Sequence, residues 1–471
     1  MTGWQDLTLT VDGRPMAAAA KSALVGLSLS RELNVPAVLE LAFADRVELP
    51  GFQADLRLVR GDDDLFHGRV LRTTHRDGAG GPRLEILARD DLSRLAERRT
   101  PGGHDHTSVR TVLKDAAAGV GTVLTDPGFP DFRLGRHITR DRDDLAGLVR
   151  LFERYGIGVS LRPNGLAAVD VTDPGKGVVL EEIAVVTAYR EVREPSLSHS
   201  SSGWFGWSPD TDKTVGKGDA PGLFQAGVAM RSGETQSRLS AAARSYGLRN
   251  AHWVESTLRG LVDLWPGEAI RTDRRDGSAL PMQKVTLLLD AAGGARTLIS
   301  TRPPVPSATV PGSFLTGQVV QADDPAGAGR VTVALNGYPD TVTGWLPTLA
   351  QQSRRGGGTG LAVPLDPGDP VLIACPEGDP ELGIVLGALV RGSGPGAQVS
   401  GGRARTGQVW RGAGATVLID EERGAIDLAL DDGTRLTLDD NRIALKASGG
   451  LDLNCDGKVR IRGTRIDFEE A

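Results

Sequence analysis

The sequence predicts a mainly β, multidomain protein: two β-barrels with an α/β insert, an OB-fold barrel, and a C-terminal β-helix intertwined from three copies of the chain. Three observations carry this. Glycine (62) and proline (27) are plentiful while aromatics reach only 4%, a balance that favours short strands and many turns over long helices. Apolar residues alternate with polar ones through most of the chain, the period of half-buried strands. Residues 412–471 repeat a short strand-and-turn unit, the mark of a repeat structure. At 471 residues the chain also exceeds what one hydrophobic core usually organises, so several domains are expected.

Residues 1–97 form the first barrel, because "LTLTVDG", "AVLELAFADRVEL", "ADLRLVRGDDDLFHGRVLRTTHR" and "RLEILARD" alternate between turn residues. Residues 98–177 form the insert, where helical spacing takes over. Val109, Val112, Leu113, Ala116 and Val120 fall on one face behind a cap at Thr107 or Ser108. Leu145, Leu148, Leu151, Phe152 and Tyr155 form a second stripe, with acids at its start and Gly156 at its end. Residues 178–305 return to strands as a second barrel, interrupted by the helix-like "ETQSRLSAAARSYG". The proline-rich "STRPPVPSATVPG" is a stiff boundary. Residues 306–392 read as five or so short strands, the size of an OB barrel, and residues 393–411 as a glycine-rich linker.

In residues 412–471 the alternating units are Val417/Ile419, Ile426/Leu428/Leu430, Leu436/Leu438, Ile443/Leu445, Leu451/Leu453/Cys455, Val459/Ile461 and Ile466/Phe468, separated by sharp-turn sequences. Strands this short cannot bury a core alone. Three chains wound about one axis would cover the apolar positions, so Ile426 through Ile461 in this set are the candidate trimer core, with an ordinary single-chain meander as the alternative. Thirteen acids against eight bases leave this segment at −5, a charged exterior suited to a rigid, non-sticky rod.

The order of parts resembles the VgrG family of trimeric hub-and-spike proteins of contractile phage tails, type VI secretion systems and extracellular injection systems. The best local marks lie in the OB region: Asp324, Pro325, Gly329, Arg330 and Val331 in "DDPAGAGRVTVAL", Trp345 in "GWLP", Gly368 and Asp369 in "PGDPVLIA", and Gly378, Asp379 and Pro380 in "EGDPELGIVLGAL". "LFHGRVLR" and "LWPGEAI" are weaker marks. The resemblance implies a homotrimeric structural hub that adapts a sixfold inner tube to a threefold, membrane-piercing spike. It implies inner-tube and baseplate partners, an effector or tape-measure protein as cargo, and target-membrane contact only on firing. It also implies a PAAR-type tip protein on the blunt spike end, with Ile466, Asp467, Phe468, Glu469 and Glu470 as docking residues. Because the chain stops soon after the spike, any effector is expected on another protein. Without a secretory start, assembly is expected in the cytoplasm, followed by incorporation into a tail-like particle.

No catalytic residue, cofactor or metal is expected. Net charge of −6 without a basic block speaks against nucleic acid. "HDH" at His104–His106 reads as a solvated loop rather than a metal site. The acidic runs "GDDDL", "DRDD" and "IDEER" read as solvated faces or caps, and Cys375 and Cys455 as small buried hydrophobes. Trp204, Phe205 and Trp207 suit a binding loop or an interdomain contact equally. The rival reading is a phage-borne or secreted polysaccharide hydrolase with β-rich binding modules, which would need two carboxylates across a groove.

Overall fold

The alternating runs on either side of the insert join one sheet. Eleven strands pair in the order Val186–Arg193, His252–Arg259, Gly294–Ser300, Lys284–Asp290, Leu24–Glu32, Val35–Phe43, Gly81–Asp90, Asp63–Gly78, Asp55–Arg60, Leu7–Val11 and Arg14–Pro15. This computed structural model describes the chain except residues 1–5, 45–50, 79–80, 101, 105–106, 126–127, 135–136, 140–142, 195–203, 209–212, 218–232, 272–278, 291–293, 305–311, 339, 350–351, 354–359, 362–364, 376–377, 379, 390–406, 413, 421–422, 453 and 468–471. The described chain is mainly β and divides into two compact units, residues 1–387 and 388–471.

The regions expected as two separate barrels are therefore continuous. Leu24–Glu32 pairs with Val35–Phe43 on one side and Lys284–Asp290 on the other, so that Leu29 faces both Leu39 and Leu287. Those residues point to one face and are fully buried, together with Leu41, Phe43, Leu56, Leu58, Ile86 and Val285. Each such side chain contributes about 1.5–3 kcal/mol when taken from water. The ladder closes because both regions present an apolar row to the same core, and an unpaired strand edge between them would leave backbone groups unsatisfied.

A buried cation crosses this junction. Arg31 is 2% exposed; it donates to the Leu65 carbonyl at 2.7 Å, the Leu264 carbonyl at 3.0 Å and Asp263 at 3.2 Å. Its guanidinium carbon stands 3.6 Å from the Trp265 ring centre. Burial lowers its pKa to about 10, with Asp263 opposing the shift.

The insert follows its periodicity. The helix Val109–Gly119 is capped by Ser108, whose side chain accepts from Thr111 N–H, and the helix Asp144–Glu153 by Asp143, which accepts from Ala146 N–H. Their apolar stripes bury against the hairpin Ile157–Arg162/Gly165–Asp170. Gly156 takes φ +70°, where a Cβ would run into Thr172. Leu239, from the later helix Gly233–Ala251, completes this core.

In the OB region the strands Thr332–Leu335, Ser313–Gln321, Pro370–Cys375 and Ile384–Ala388 form one sheet in that order. The "GWLP" segment is not a regular strand. Leu346 within it makes a single bridge to Val331, and Thr348 just after it makes another to Val385.

The second unit holds an antiparallel five-stranded meander, Gly407–Gly412, Ala415–Asp420, Ala425–Leu430, Arg435–Asp439 and Arg442–Lys446. Its first strand begins inside the segment expected as a linker to residue 411. The strand units expected at 451–455, 459–461 and 466–468 are not strands in their described residues. A strand exists only against a neighbouring backbone, and beyond Lys446 the described residues of the single chain pair with none.

Candidate functional site

The meander carries the strongest candidate surface. Across its ladder Val417 stands opposite Leu428, Leu428 opposite Leu436, and Leu436 opposite Leu445. In the next row Ile419, Ile426, Leu438 and Ile443 align in the same way. Directly opposed residues share a face, so the expected core residues Ile426, Leu428, Leu430, Leu436, Leu438, Ile443 and Leu445 are brought together. The face is open: Ile443 is 75% exposed, and Ile426, Leu428, Leu430 and Leu445 are exposed with it. Leu451, Val459 and Ile461 are exposed as well, and Cys455, expected to be buried, is an exposed free thiol. Leu453 lies outside the described residues.

The opposite face is polar and better covered. In Ala425–Leu430 the buried residues are Ala425 and Asp427, not the leucines. Asp427 is 4% exposed, accepts from Thr437 Oγ1 at 2.6 Å and pairs with Arg435. The Arg435 hydrogen bond, helped by Thr437, holds its carboxyl below the usual range. A one-layer sheet with a satisfied polar face and an uncovered apolar one lacks its second layer. Of the expected tip-docking residues, Ile466 and Asp467 are exposed and Arg465 Nε donates to Asp467 at 2.9 Å, whereas Phe468, Glu469 and Glu470 lie outside the described residues.

The OB marks gather into turns. The Asp324 side chain, 2% exposed, accepts from Arg330 Nε and Nη2, each at 2.9 Å, and from the N–H groups of Ala326 and Ala328 at 3.0 Å. Pro325 and Gly329 (φ +68°) shape the loop so closed, and Val331 bridges to Leu346. Gly368 (φ +96°) precedes Asp369, whose Oδ2 accepts from Asp366 N–H at 2.9 Å, so this turn delivers the strand Pro370–Cys375. Gly378 takes φ +72° and Pro380 is buried, while Asp379 lies outside the described residues. Trp345 is half-buried. Sequence reasoning missed Glu381, which is 4% exposed and accepts from Gly344 N–H at 3.2 Å. Its only signal was an acid inside the closing motif.

These features match a known domain. Residues 315–389 fit the family model of the type VI secretion system/phage-baseplate injector OB domain. The chain carries that OB domain. The Escherichia coli c3393 protein, a type VI secretion component reported to resemble the T4 bacteriophage tail proteins gp27 and gp5, is similar to this chain with a TM-score of 0.55 and 14% identity, over 81% of this chain and 99% of that one. A tail protein from Neisseria meningitidis MC58 is similar with a TM-score of 0.50 and 13% identity, over 63% of this chain and 95% of that one. No curated protein matches the sequence.

The remaining polar candidates are held in ion pairs, caps and turns. Asp63 pairs with Arg60 and Asp64 with Arg57, Asp143 caps a helix, Asp144 holds Arg98 and Thr100, and Asp420 accepts from Arg423 N–H. Asp105 and His106 lie outside the described residues, and no metal-binding group of His, Cys, Asp or Glu occurs among the described ones. Trp204, Phe205 and Trp207 belong to a hairpin, Trp204–Ser208 with Lys213–Lys217. Cys375 is buried in the OB core. No described helix is long and apolar enough to cross a membrane.

Proposed function

We propose that this protein is the non-enzymatic hub and spike of a contractile, phage tail-like injection system and works as a homotrimer. The observation that carries the reading is the open apolar face of the meander, Val417 to Leu445, in a chain that also holds an injector OB domain. Three such faces turned toward one axis supply one another's missing layer. The exposed apolar residues from Leu451 to Ile466 then find neighbouring strands in the other copies and continue the spike as a β-helix.

In this reading the eleven-stranded sheets form the hub, which adapts the sixfold inner tube to the threefold spike and seats on baseplate proteins. Assembly occurs in the cytoplasm before the hub enters a tail-like particle. Firing drives the spike through a target envelope, and the shared core resists unwinding because withdrawing one chain exposes the apolar faces of all three. Residues 466–470 receive a PAAR-type tip protein, and an effector or tape-measure protein travels with the hub. The test is the mass of the purified full chain by light scattering at micromolar concentration. A trimer is expected; a monomer overturns the reading.

A further inference from the structure

The strand Gly81–Asp90 lies between Val35–Phe43 and Asp63–Gly78 and ends at the corner where the sheet hands over to the insert. Asp90 closes that corner and is only 4% exposed. Its Oδ1 accepts from Leu92 N–H at 3.1 Å, the Ala37 N–H also donates to the side chain, and its own carbonyl accepts from Ser93 Oγ at 2.7 Å. Opposite stands Gly68, where any Cβ would collide with the Arg89 carbonyl, so the backbones meet without room for a side chain. Two residues further on, Leu92 and then Leu95 are buried in the insert's core rather than the sheet's. The corner is thus the joint that ties the two cores.

The charged groups around this joint do not neutralise Asp90. Asp91 adds repulsion from the adjacent position. Arg94 and Arg69 both turn to Asp91, at 2.8 Å and 3.6 Å, and Arg69 also reaches Glu97 at 3.4 Å. Asp90 is left with backbone N–H donors and no cation among the described residues. Burying an ionised carboxylate on those terms is costly, and binding a proton removes the cost.

We propose that Asp90 is a proton-operated latch: the joint between sheet and insert is tight while the carboxyl is protonated and loosens when it ionises. Burial pushes the Asp90 carboxyl up to about 7, against the Ala37 and Leu92 N–H donors that favour the ionised form and with a small addition from Asp91. Because the folded value lies above the ordinary one, the stabilisation is complete below the ordinary carboxylate range and is lost as pH rises through about 7. The inference concerns the first unit alone and stands whether or not the chain trimerises.

The test is hydrogen exchange on the full chain at pH 6 and pH 8, normalised to intrinsic exchange rates. Residues 91–97 should lose protection about tenfold between those values, the ratio set by one proton released near the middle of the interval, and Asp90→Asn should flatten the difference. Infrared spectra of wild-type protein carrying isotope-labelled aspartate read the same event without a variant. A protonated aspartate band should be present at pH 6 and gone at pH 8. Protection independent of pH in the wild type, or no protonated aspartate at pH 6, overturns the proposal.

Discussion

Arg330 and Asp324 meet through two parallel contacts, Nε to Oδ2 and Nη2 to Oδ1, each 2.9 Å. The pair staples the loop that feeds the first return strand of the OB barrel. The Arg330 hydrogen bonds, against the opposing effect of desolvation, hold the Asp324 carboxyl far below the usual carboxylate range.

Arg330→Ala should therefore destabilise the OB domain by about 3 kcal/mol, since it strands a buried carboxylate. Arg330→Lys should recover part of this but not the two-pronged geometry. Urea unfolding followed at Trp345 measures both. The folded pKa is depressed, so this stabilisation is present at neutral pH and disappears as pH falls below the ordinary carboxylate range. Equal midpoints for wild type and Arg330→Ala at pH 7 would contradict the assignment.

Arg31 predicts a second stability effect, in the sheet. Arg31→Met leaves Asp263 and the Leu65 and Leu264 carbonyls without their donor, an expected loss of about 3 kcal/mol. Calorimetry should show the transition of the eleven-stranded sheet shifted down while that of the C-terminal meander stays unmoved. A variant as stable as wild type would mean that water takes over the guanidinium's role.

Leu428→Asp tests the open face. In the single chain Leu428 is exposed, so the fold of the meander should survive, whereas three carboxylates at a shared axis should block association. Arg442→Glu, on the opposite face, should leave assembly intact. Cys455 reports the same event: its thiol should react freely with a maleimide in Leu428→Asp and at least tenfold more slowly in the assembled wild type. Cys375, 1% exposed, should stay unreactive in both. Equal labelling of Cys455 in the two proteins would place it away from the shared core.

Deleting residues 466–471 should abolish capture of a co-expressed PAAR-type tip protein while the oligomer persists through Val417 to Leu445. Retention of the tip by the truncated protein would move the docking site elsewhere.

Much of this was legible because it depends on near neighbours in the chain. Period-two alternation assigned Leu428, Leu436 and Leu445 to one face without knowledge of how their strands pair. The cap at Ser108, one of two candidates beside Thr107, and the acidic start of the second helix followed from side-chain acceptors that act over a few residues. The clustering of Asp324, Gly329 and Arg330 was visible as a motif, though not the contact it makes. Cys455 was misplaced in the single chain because its alternation marks a face and cannot show what covers it.

The sequence by itself thus determined the strand-rich class, the insert's helices and the amphipathic character of the C-terminal sheet. Only the tertiary structure decided that Leu24–Glu32 and Lys284–Asp290 share a ladder, that Arg31 finds Asp263 across 232 residues of chain, and that Glu381 satisfies Gly344. The physical reason is that periodicity is written along the chain, whereas pairing is selected in space. A strand edge, a buried charge or an orphaned N–H pairs with whichever partner the whole fold brings within about 3 Å.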